Sequence, residues 1–502
     1  MDKGHQADIK TIARNAGISG LGDIFSAAMI FGTNIVMTRT VGASIYGTFV
    51  LAKNITIVGG VLGNFGIHQG LLHFLPFYKG KENWGRAKGT LRASTQLTAL
   101  FSFGTAALLY LCADYIAVNA FHTPGMTAVL KVFAFSIPWL AFSKLWLSGV
   151  RAFRALKYTV LVGKIVRPVI CLALLSLLFL VGLKLYSLVF SELASTLLAA
   201  GLGLYFLRRL LPIQWEKTQA APDRRELLGF SAPLFLVDAL NFIMRRVDII
   251  MIGIFLMSQQ VGIYNAAVRV ALLLAIPLAS VNAIFAPMIA EYYGRGDLIS
   301  LRRNFKVATR WIFSLVFPLC LLVLLFPAPL LRLFGAEFTE GSKALVILTG
   351  GQLVNAATGP VNFMIMMTGH PKFNLVNSLA LALLNVGLNV ILIPKFGIMG
   401  AAIAAASSMA IINLLRLVEV HYILKVHPYQ WSFLKPLLAG TLAAVCTYVL
   451  FLRNAQTPSS LMLVAGILMH FVAYTVMIVL LKLPEEEKLV LRTLMAKLKT
   501  RR

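Results

Sequence analysis

Long apolar runs broken by short polar segments dominate this sequence, and the length of the runs predicts the elements. A hydrocarbon core about 30 Å thick is crossed by about 20 helical residues. Runs of that length occur fourteen times. The first six cover Ala16–Thr38, Ser44–Phe65, Gly89–Leu111, Ala128–Val150, Tyr158–Val181 and Leu185–Leu207. After a basic linker come Leu227–Leu256, Gly262–Ile289, Val307–Phe326, Ala344–Met367, Phe373–Ile393 and Met399–Tyr422. Phe433–Leu452 and Ser459–Leu481 complete the set. The predicted fold class is therefore an all-α integral membrane protein of about fourteen transmembrane helices. Gly, Pro and Asn inside several runs are tolerated where neighbouring helices or cavity water satisfy the backbone.

The pattern also repeats. Asp23, Arg39, Ile45-Tyr46-Gly47 and Lys53 in the first two runs match Asp238, Asp248, Ile263-Tyr264-Asn265 and Arg269 in the seventh and eighth. The offsets are 215 from Asp23 to Asp238, 218 from Tyr46 to Tyr264 and 216 from Lys53 to Arg269. An even number of helices separates the copies, so both share one orientation, and parallel repeats of this kind place a substrate site at their interface. The expected organisation is a cytoplasmic segment at 1–15, a first six-helix lobe at 16–207 and a linker at 208–226. A second parallel lobe at 227–422, two added helices at 423–482 and a tail at 483–502 follow.

Composition fixes the solvent. Of the 502 residues 59% are hydrophobic and only 13% charged, against about 25% charged in soluble domains. There are 46 Lys and Arg against 19 Asp and Glu, a formal +27. In a membrane chain such an excess gathers in cytoplasmic loops rather than marking a nucleic-acid partner. One set of loops holds Lys79, Lys81, Arg86, Lys88, Arg208, Arg209, Lys217, Arg224, Arg225, Arg302, Arg303 and Lys306. The opposite set has only Arg39, Lys184, Arg332, Lys343, Lys395 and Arg453, so both termini are expected on the cytoplasmic side of the plasma (inner) membrane. No cleavable signal peptide is expected. The tail carries Leu491, Leu494, Met495 and Leu498 at helical spacing among basic residues and reads as an amphipathic helix on the anionic inner leaflet.

Charge inside the spans is the informative part. Each such residue costs about 2.5–3.5 kcal/mol at a helix centre and usually marks a pathway. Lys53, Arg245, Arg246 and Arg269 would together cost roughly 10–14 kcal/mol in lipid, so they must pair, snorkel or line water. Asp238, Asn241, Arg245 and Asp248 fall on one helical face, as do Tyr46, Lys53 and Asn64, while Asn34 lies eleven residues after Asp23 and Arg269 four after Asn265. With Asp238 and Asp248 neutralising two of the cations, about two positive charges remain, which suits a diphosphate-sized anion. Lys131, Lys144, Lys164 and Arg167 read as snorkelling or packing residues, and Glu192 as a candidate proton site. The stripe Asn374, Asn377, Asn385 and Asn389 reads as interhelical hydrogen bonding.

Several chemistries find no support. The four cysteines (Cys112, Cys171, Cys320 and Cys446) are widely spaced, the eight histidines form no ligand pattern, and no GxxxxGK[ST] loop occurs. No metal, cofactor, catalytic residue or nucleic-acid partner is expected. No loop on the extracytoplasmic side offers a catalytic domain, which argues against a membrane glycosyltransferase or ligase.

Arg246-Val247-Asp248-Ile249-Ile250-Met251-Ile252-Gly253, Val261-Gly262-Ile263-Tyr264-Asn265-Ala266-Ala267 and Pro287-Met288-Ile289-Ala290-Glu291-Tyr292-Tyr293 resemble the polysaccharide transport family. So does the run from Leu388 to Ala402, with Ile393-Pro394-Lys395-Phe396-Gly397 at its centre. These are lipid-linked oligosaccharide flippases of O-antigen and capsule export, in the superfamily shared with multidrug extrusion proteins. The resemblance implies a V-shaped, pseudo-two-fold pair of six-helix bundles working by alternating access. It implies a cationic cavity lined by the first, second, seventh and eighth helices, and a polyprenyl-diphosphate-linked oligosaccharide as cargo. Lys53, Arg245, Arg246 and Arg269 would then attract the diphosphate, with Arg39 at the outer mouth. Asp23, Asp238 and Asp248 would balance charge or take a coupling proton, and Asn34, Tyr46, Asn64, Asn241 and Asn265 would line the cavity. Partners would be membrane lipids, the lipid-linked glycan and polysaccharide polymerase or ligase machinery. The rival readings on one scaffold are a cation-coupled multidrug antiporter, which needs an acidic cavity, and a lipid II-type flippase.

Overall fold

The computed structural model describes residues 3–212, 215, 218–452 and 460–481, with side chains from residue 20 onward apart from 371, 372, 452, 460 and 461. The basic tail at 483–502, Lys217 and Arg453 lie outside the described residues. Every regular element among the described residues is helical, with no strand. The principal helices are α1 (Lys3–Asn64), α2 (Ile67–Gly80), α3 (Trp84–Tyr115), α4 (Met126–Ala134), α5 (Ser136–Ala152), α6 (Leu156–Leu180), α7 (Lys184–Leu210) and α8 (Arg224–Phe255). They continue as α9 (Ser258–Leu273), α10 (Ile276–Gly294), α11 (Leu298–Leu325), α12 (Ser342–Thr358), α13 (Val361–Met367), α14 (Pro371–Phe396), α15 (Ile398–Leu424), α16 (Leu434–Thr447) and α17 (Ser460–Leu480).

Ten helices among the described residues are long and apolar enough to cross a membrane, or up to thirteen if each bent pair counts as one span. The bent pairs are α4 with α5, α9 with α10, and Ala336–Thr358 with α13, at angles of 40°, 44° and 47°. The difference from the expected fourteen lies in α1, which joins the first two expected spans in one helical run. Its apolar part, Gly20–Asn64, has 45 residues, about 67 Å at 1.5 Å per residue and twice a hydrocarbon core. At Gly42 the backbone leaves the helix, with φ 77° and ψ 174°. Only glycine adopts that conformation without strain, so α1 is two helical arms meeting at one residue.

The described chain gathers into two compact units. The first holds the chain up to Arg269 with Leu333–Gly341 and Ser378–Ala404, the second Val270–Arg332, Ser342–Asn377 and the chain from Ala405 onward. In the first unit, buried Leu71, Phe74, Leu145, Trp146, Ala200 and Leu207 form a core joining α2, α5 and α7. There α1 and α9 also approach to backbone contact. A Cβ placed on Gly47 would lie 1.7 Å from the Ser258 carbonyl oxygen, and one on Gly262 would lie 2.3 Å from that of Ala43. Small residues let helix backbones meet in this way inside a membrane. In the second unit, Phe285, Ile289, Leu301, Phe305 and Met364 pack α10, α11 and α13 together.

Candidate functional site

Within the first unit, α1, α4, α5, α6, α7, α8 and α9 enclose a cavity of about 280 Å³. Its lining is mostly apolar, with Ile30, Met37, Phe49, Val50, Ile57 and Phe133 among the wall residues. Into this wall project Lys53, Arg167, Arg246 and Arg269, four cationic side chains, and one carboxylate, Glu192. Asn34, Asn54, Ser136, Ser195 and Thr196 are among its neutral polar groups.

The charges are arranged unequally. Glu192 takes Lys53 Nζ on one carboxylate oxygen and Arg167 Nη2 on the other, both at 2.8 Å. Arg167 also donates to Thr196 Oγ1 at 3.2 Å. Among the described residues neither Arg246 nor Arg269 has a carboxylate within ion-pair distance, and the Nε of Arg269 is buried with no hydrogen-bond acceptor. Asp248, two residues from Arg246, is occupied elsewhere: it accepts from the Tyr264 hydroxyl at 2.6 Å and from the Ile249 amide at 2.9 Å. The cavity wall is left with two cations without a carboxylate partner on α8 and α9, and on α1, α6 and α7 with two cations sharing one carboxylate, a net single positive charge.

Hydrogen bonds around the cavity repeat the duplication seen in the sequence. Tyr46 and Tyr264, matched at an offset of 218, are both fully buried. Tyr46 donates to Asn34 Oδ1 on the preceding helical arm, as Tyr264 donates to Asp248 on α8. Asn265 Nδ2 then donates to the Tyr46 hydroxyl at 2.6 Å, tying α9 to α1 beside Arg269. Lys53 and Arg269, the matched cations, both reach the cavity.

The expected site residues divide accordingly. Lys53, Arg246, Arg269 and Asn34 line the cavity, and Tyr46 and Asn265 sit immediately behind it. Arg245 is exposed and does not line it, because successive positions on a helix point about 100° apart and Arg246 takes the inward direction. Asn241 is likewise exposed. Asp238 does not neutralise an α8 or α9 cation: it pairs with Lys144 at 3.0 Å and lies 3.7 Å from His68 Nε2. Asp23 pairs with Lys164 at 2.7 Å, on a largely exposed stretch of α1. Asn64 donates to the Ala141 carbonyl at 3.2 Å and meets His68, a packing role between α1 and α5. Arg39 lies outside the cavity, donating from Nε to the Leu333 carbonyl at 2.8 Å, while Glu337 accepts from the Ala43 amide at 2.7 Å. That carboxylate caps the helical arm that begins after Gly42. Of the asparagine stripe, Asn377 donates to Glu419 at 2.6 Å and Asn374 accepts from Arg416 at 3.3 Å, both linking α14 to α15.

Arg167 and Glu192 are the cavity residues that periodicity did not single out. Lys53, Arg167 and Glu192 come from three different helices, so no spacing within one helix connects them. The one available signal was the cost of leaving a carboxylate and two cations separately in a membrane interior.

The fold of this helical membrane protein is shared with solved transporter structures. It resembles "Lipid II flippase MurJ, inward closed conformation" with a TM-score of 0.74 at 16% identity, over 91% of this chain and 97% of that one. It also resembles an inward-facing multidrug resistance MATE family transporter of the MOP superfamily, with a TM-score of 0.67 at 13% identity over 80% and 94%. The chain belongs to the polysaccharide biosynthesis protein family, whose model matches residues 12–293; the MatE model matches residues 233–391. A relative from Haloferax volcanii, "Probable low-salt glycan biosynthesis flippase Agl15", is 26% identical over 243 residues, 48% of this chain and half of that protein.

Proposed function

We propose that this protein moves a polyprenyl-diphosphate-linked oligosaccharide across the plasma membrane by alternating access, for surface polysaccharide biosynthesis. The observation that carries the reading is the polarity of the cavity, four cations against one carboxylate in an apolar wall. A cavity of about 280 Å³ has room for a diphosphate head group and not for a whole glycolipid; the lipid tail remains in the bilayer. Arg246 and Arg269 attract the head group, because charge-assisted hydrogen bonds to phosphate are strong where water is excluded. Lys53 and Arg167 form the opposite side, held in place by Glu192. Asn34, Tyr46 and Asn265 fix the α1–α9 contact that positions Arg269. Family membership and the relative named as a glycan biosynthesis flippase support the glycan cargo. The excess of basic residues in alternate loops supports cytoplasmic termini.

A drug antiporter carrying cations needs the opposite polarity. A lipid II cargo would present the same diphosphate and differ only in its glycan. The test is translocation of a fluorescent polyprenyl-diphosphate glycan in liposomes, together with surface-glycan export in cells. The Lys53→Ala/Arg269→Ala protein should lose transport, and Arg246→Ala alone should lower head-group affinity by about 10-fold to 100-fold, as the loss of a charged hydrogen bond does. Arg245→Ala, one residue away and outside the cavity, should transport normally. Full export by the Lys53→Ala/Arg269→Ala protein would overturn the assignment.

A further inference from the structure

In the second unit, at the end of α15 and the beginning of α11, lies an open groove that shares no lining residue with the cationic cavity. Its lining is Leu417, Val418, His421, Tyr422, His427 and Tyr429, and its volume is about 290 Å³. The groove runs from an exposed apolar helix face, where Val418 is 49% exposed, to the loop at 425–430 between two membrane-crossing helices. Its two ends differ in chemistry. The floor is aliphatic. The rim is basic and aromatic: Arg302 Nη2 lies 3.4 Å from His427 Nε2, and Lys425 Nζ stands 5.8 Å from the centre of the Tyr422 ring. Lys306, one turn along α11 from Arg302, also acts on His427 electrostatically. Burial and the nearby Lys306 and Arg302 hold the His427 imidazole below its usual range, so it is neutral at pH 7 and the rim's charge comes from Arg302, Lys306 and Lys425.

Among the described residues none of Arg302, Lys306 and Lys425 has a carboxylate within ion-pair distance. Tyr422 and Trp431 are 69% and 88% exposed at the ends of their spans, the level at which Tyr and Trp settle among lipid head groups. An aliphatic channel along a span, leading to cations and phenols at its end, has the polarity of one phospholipid molecule: acyl chain against Leu417 and Val418, phosphate at Arg302 and Lys306. Basic pockets between membrane helices are known to select anionic head groups in this way.

We propose that this groove is a binding site for an anionic glycerophospholipid, separate from the glycan cavity. The occupant is a lipid and not free phosphate, since the aliphatic floor gives an inorganic ion nothing to bury.

The test is native mass spectrometry of the full-length protein delipidated in detergent, with phosphatidylglycerol or phosphatidylcholine of identical acyl chains added back. Phosphatidylglycerol should be retained in preference. A basic residue near the membrane surface contributes about a five-fold factor in affinity for an anionic lipid, so Arg302→Ala/Lys306→Ala should lower that retention about 20-fold to 30-fold. A second variant, Val418→Asp, should lower retention of both lipids by placing a carboxylate on the floor. Inorganic phosphate in large excess should not displace the lipid; displacement would mean an ion site and overturn the proposal. Equal retention of the two lipids, or unchanged retention in the Arg302→Ala/Lys306→Ala protein, would also overturn it. A control, Arg295→Ala, removes a cation paired with Glu291 on α10 and should leave the preference intact; its loss there too would mean that total charge and not this groove sets the preference. Glycan translocation by the Arg302→Ala/Lys306→Ala protein in zwitterionic liposomes separates this site from the cavity, and transport should persist there.

Discussion

Glu192 decides the electrostatics of the cavity. It holds Lys53 and Arg167 together at 2.8 Å each, and its own side chain is only 12% exposed against 32% for either cation. Removing one partner of a buried pair costs about 3–5 kcal/mol; partial exposure of both cations lowers that to about 2 kcal/mol here. The Glu192→Gln protein should therefore unfold at lower temperature in detergent. Adding Lys53→Met should recover part of the loss, giving a coupling energy above about 1 kcal/mol in the double-mutant cycle. Additive effects in that cycle would mean that the contact carries no weight. In the sequence Lys53, Arg246 and Arg269 were legible because a cation in an apolar run is conspicuous and the repeat aligned two of them. Their partners were not. Asp248 is close in sequence to Arg246 but bonds Tyr264, and Asp238 bonds Lys144 from α5, choices made by the packing of helices that no local spacing encodes.

The helices themselves were the most legible level, since a bilayer demands a run of fixed length and the runs are plain in the sequence. What the runs conceal is how they join. At α1 the polar break expected between two spans is a single glycine turn at Gly42, capped by Glu337 from a segment nearly three hundred residues on. The crossing of α1 with α9 is likewise a backbone matter. Gly47→Val would force the α1 and α9 backbones apart, whereas Gly20→Ala, with open space around it, would change nothing. Spin labels on the two helices should show a longer, broader distance distribution in the Gly47→Val protein, with reduced transport. An unchanged distance would mean that the contact yields without cost.

For the molecule as a whole, membership of the polysaccharide biosynthesis family and a fold shared with lipid II and multidrug transporters agree with the all-helical membrane fold read from span lengths and with the family resemblance. Orientation rests on loop charge, and a reporter that works only in the cytoplasm should be active when fused to either end; activity at one end alone would require an odd number of crossings. The capped turn after Gly42 and the Arg39 contact with Leu333 show how distant chain segments are drawn to one place. The resident carboxylate has a wider consequence. On the proposed reading, Arg246 and Arg269 would meet an incoming head group first, and Lys53 and Arg167 would reach it only by giving up contact with Glu192. A lipid monophosphate, with less negative charge to offer, would draw those two cations poorly, so selectivity would begin with the number of phosphates before any sugar is met.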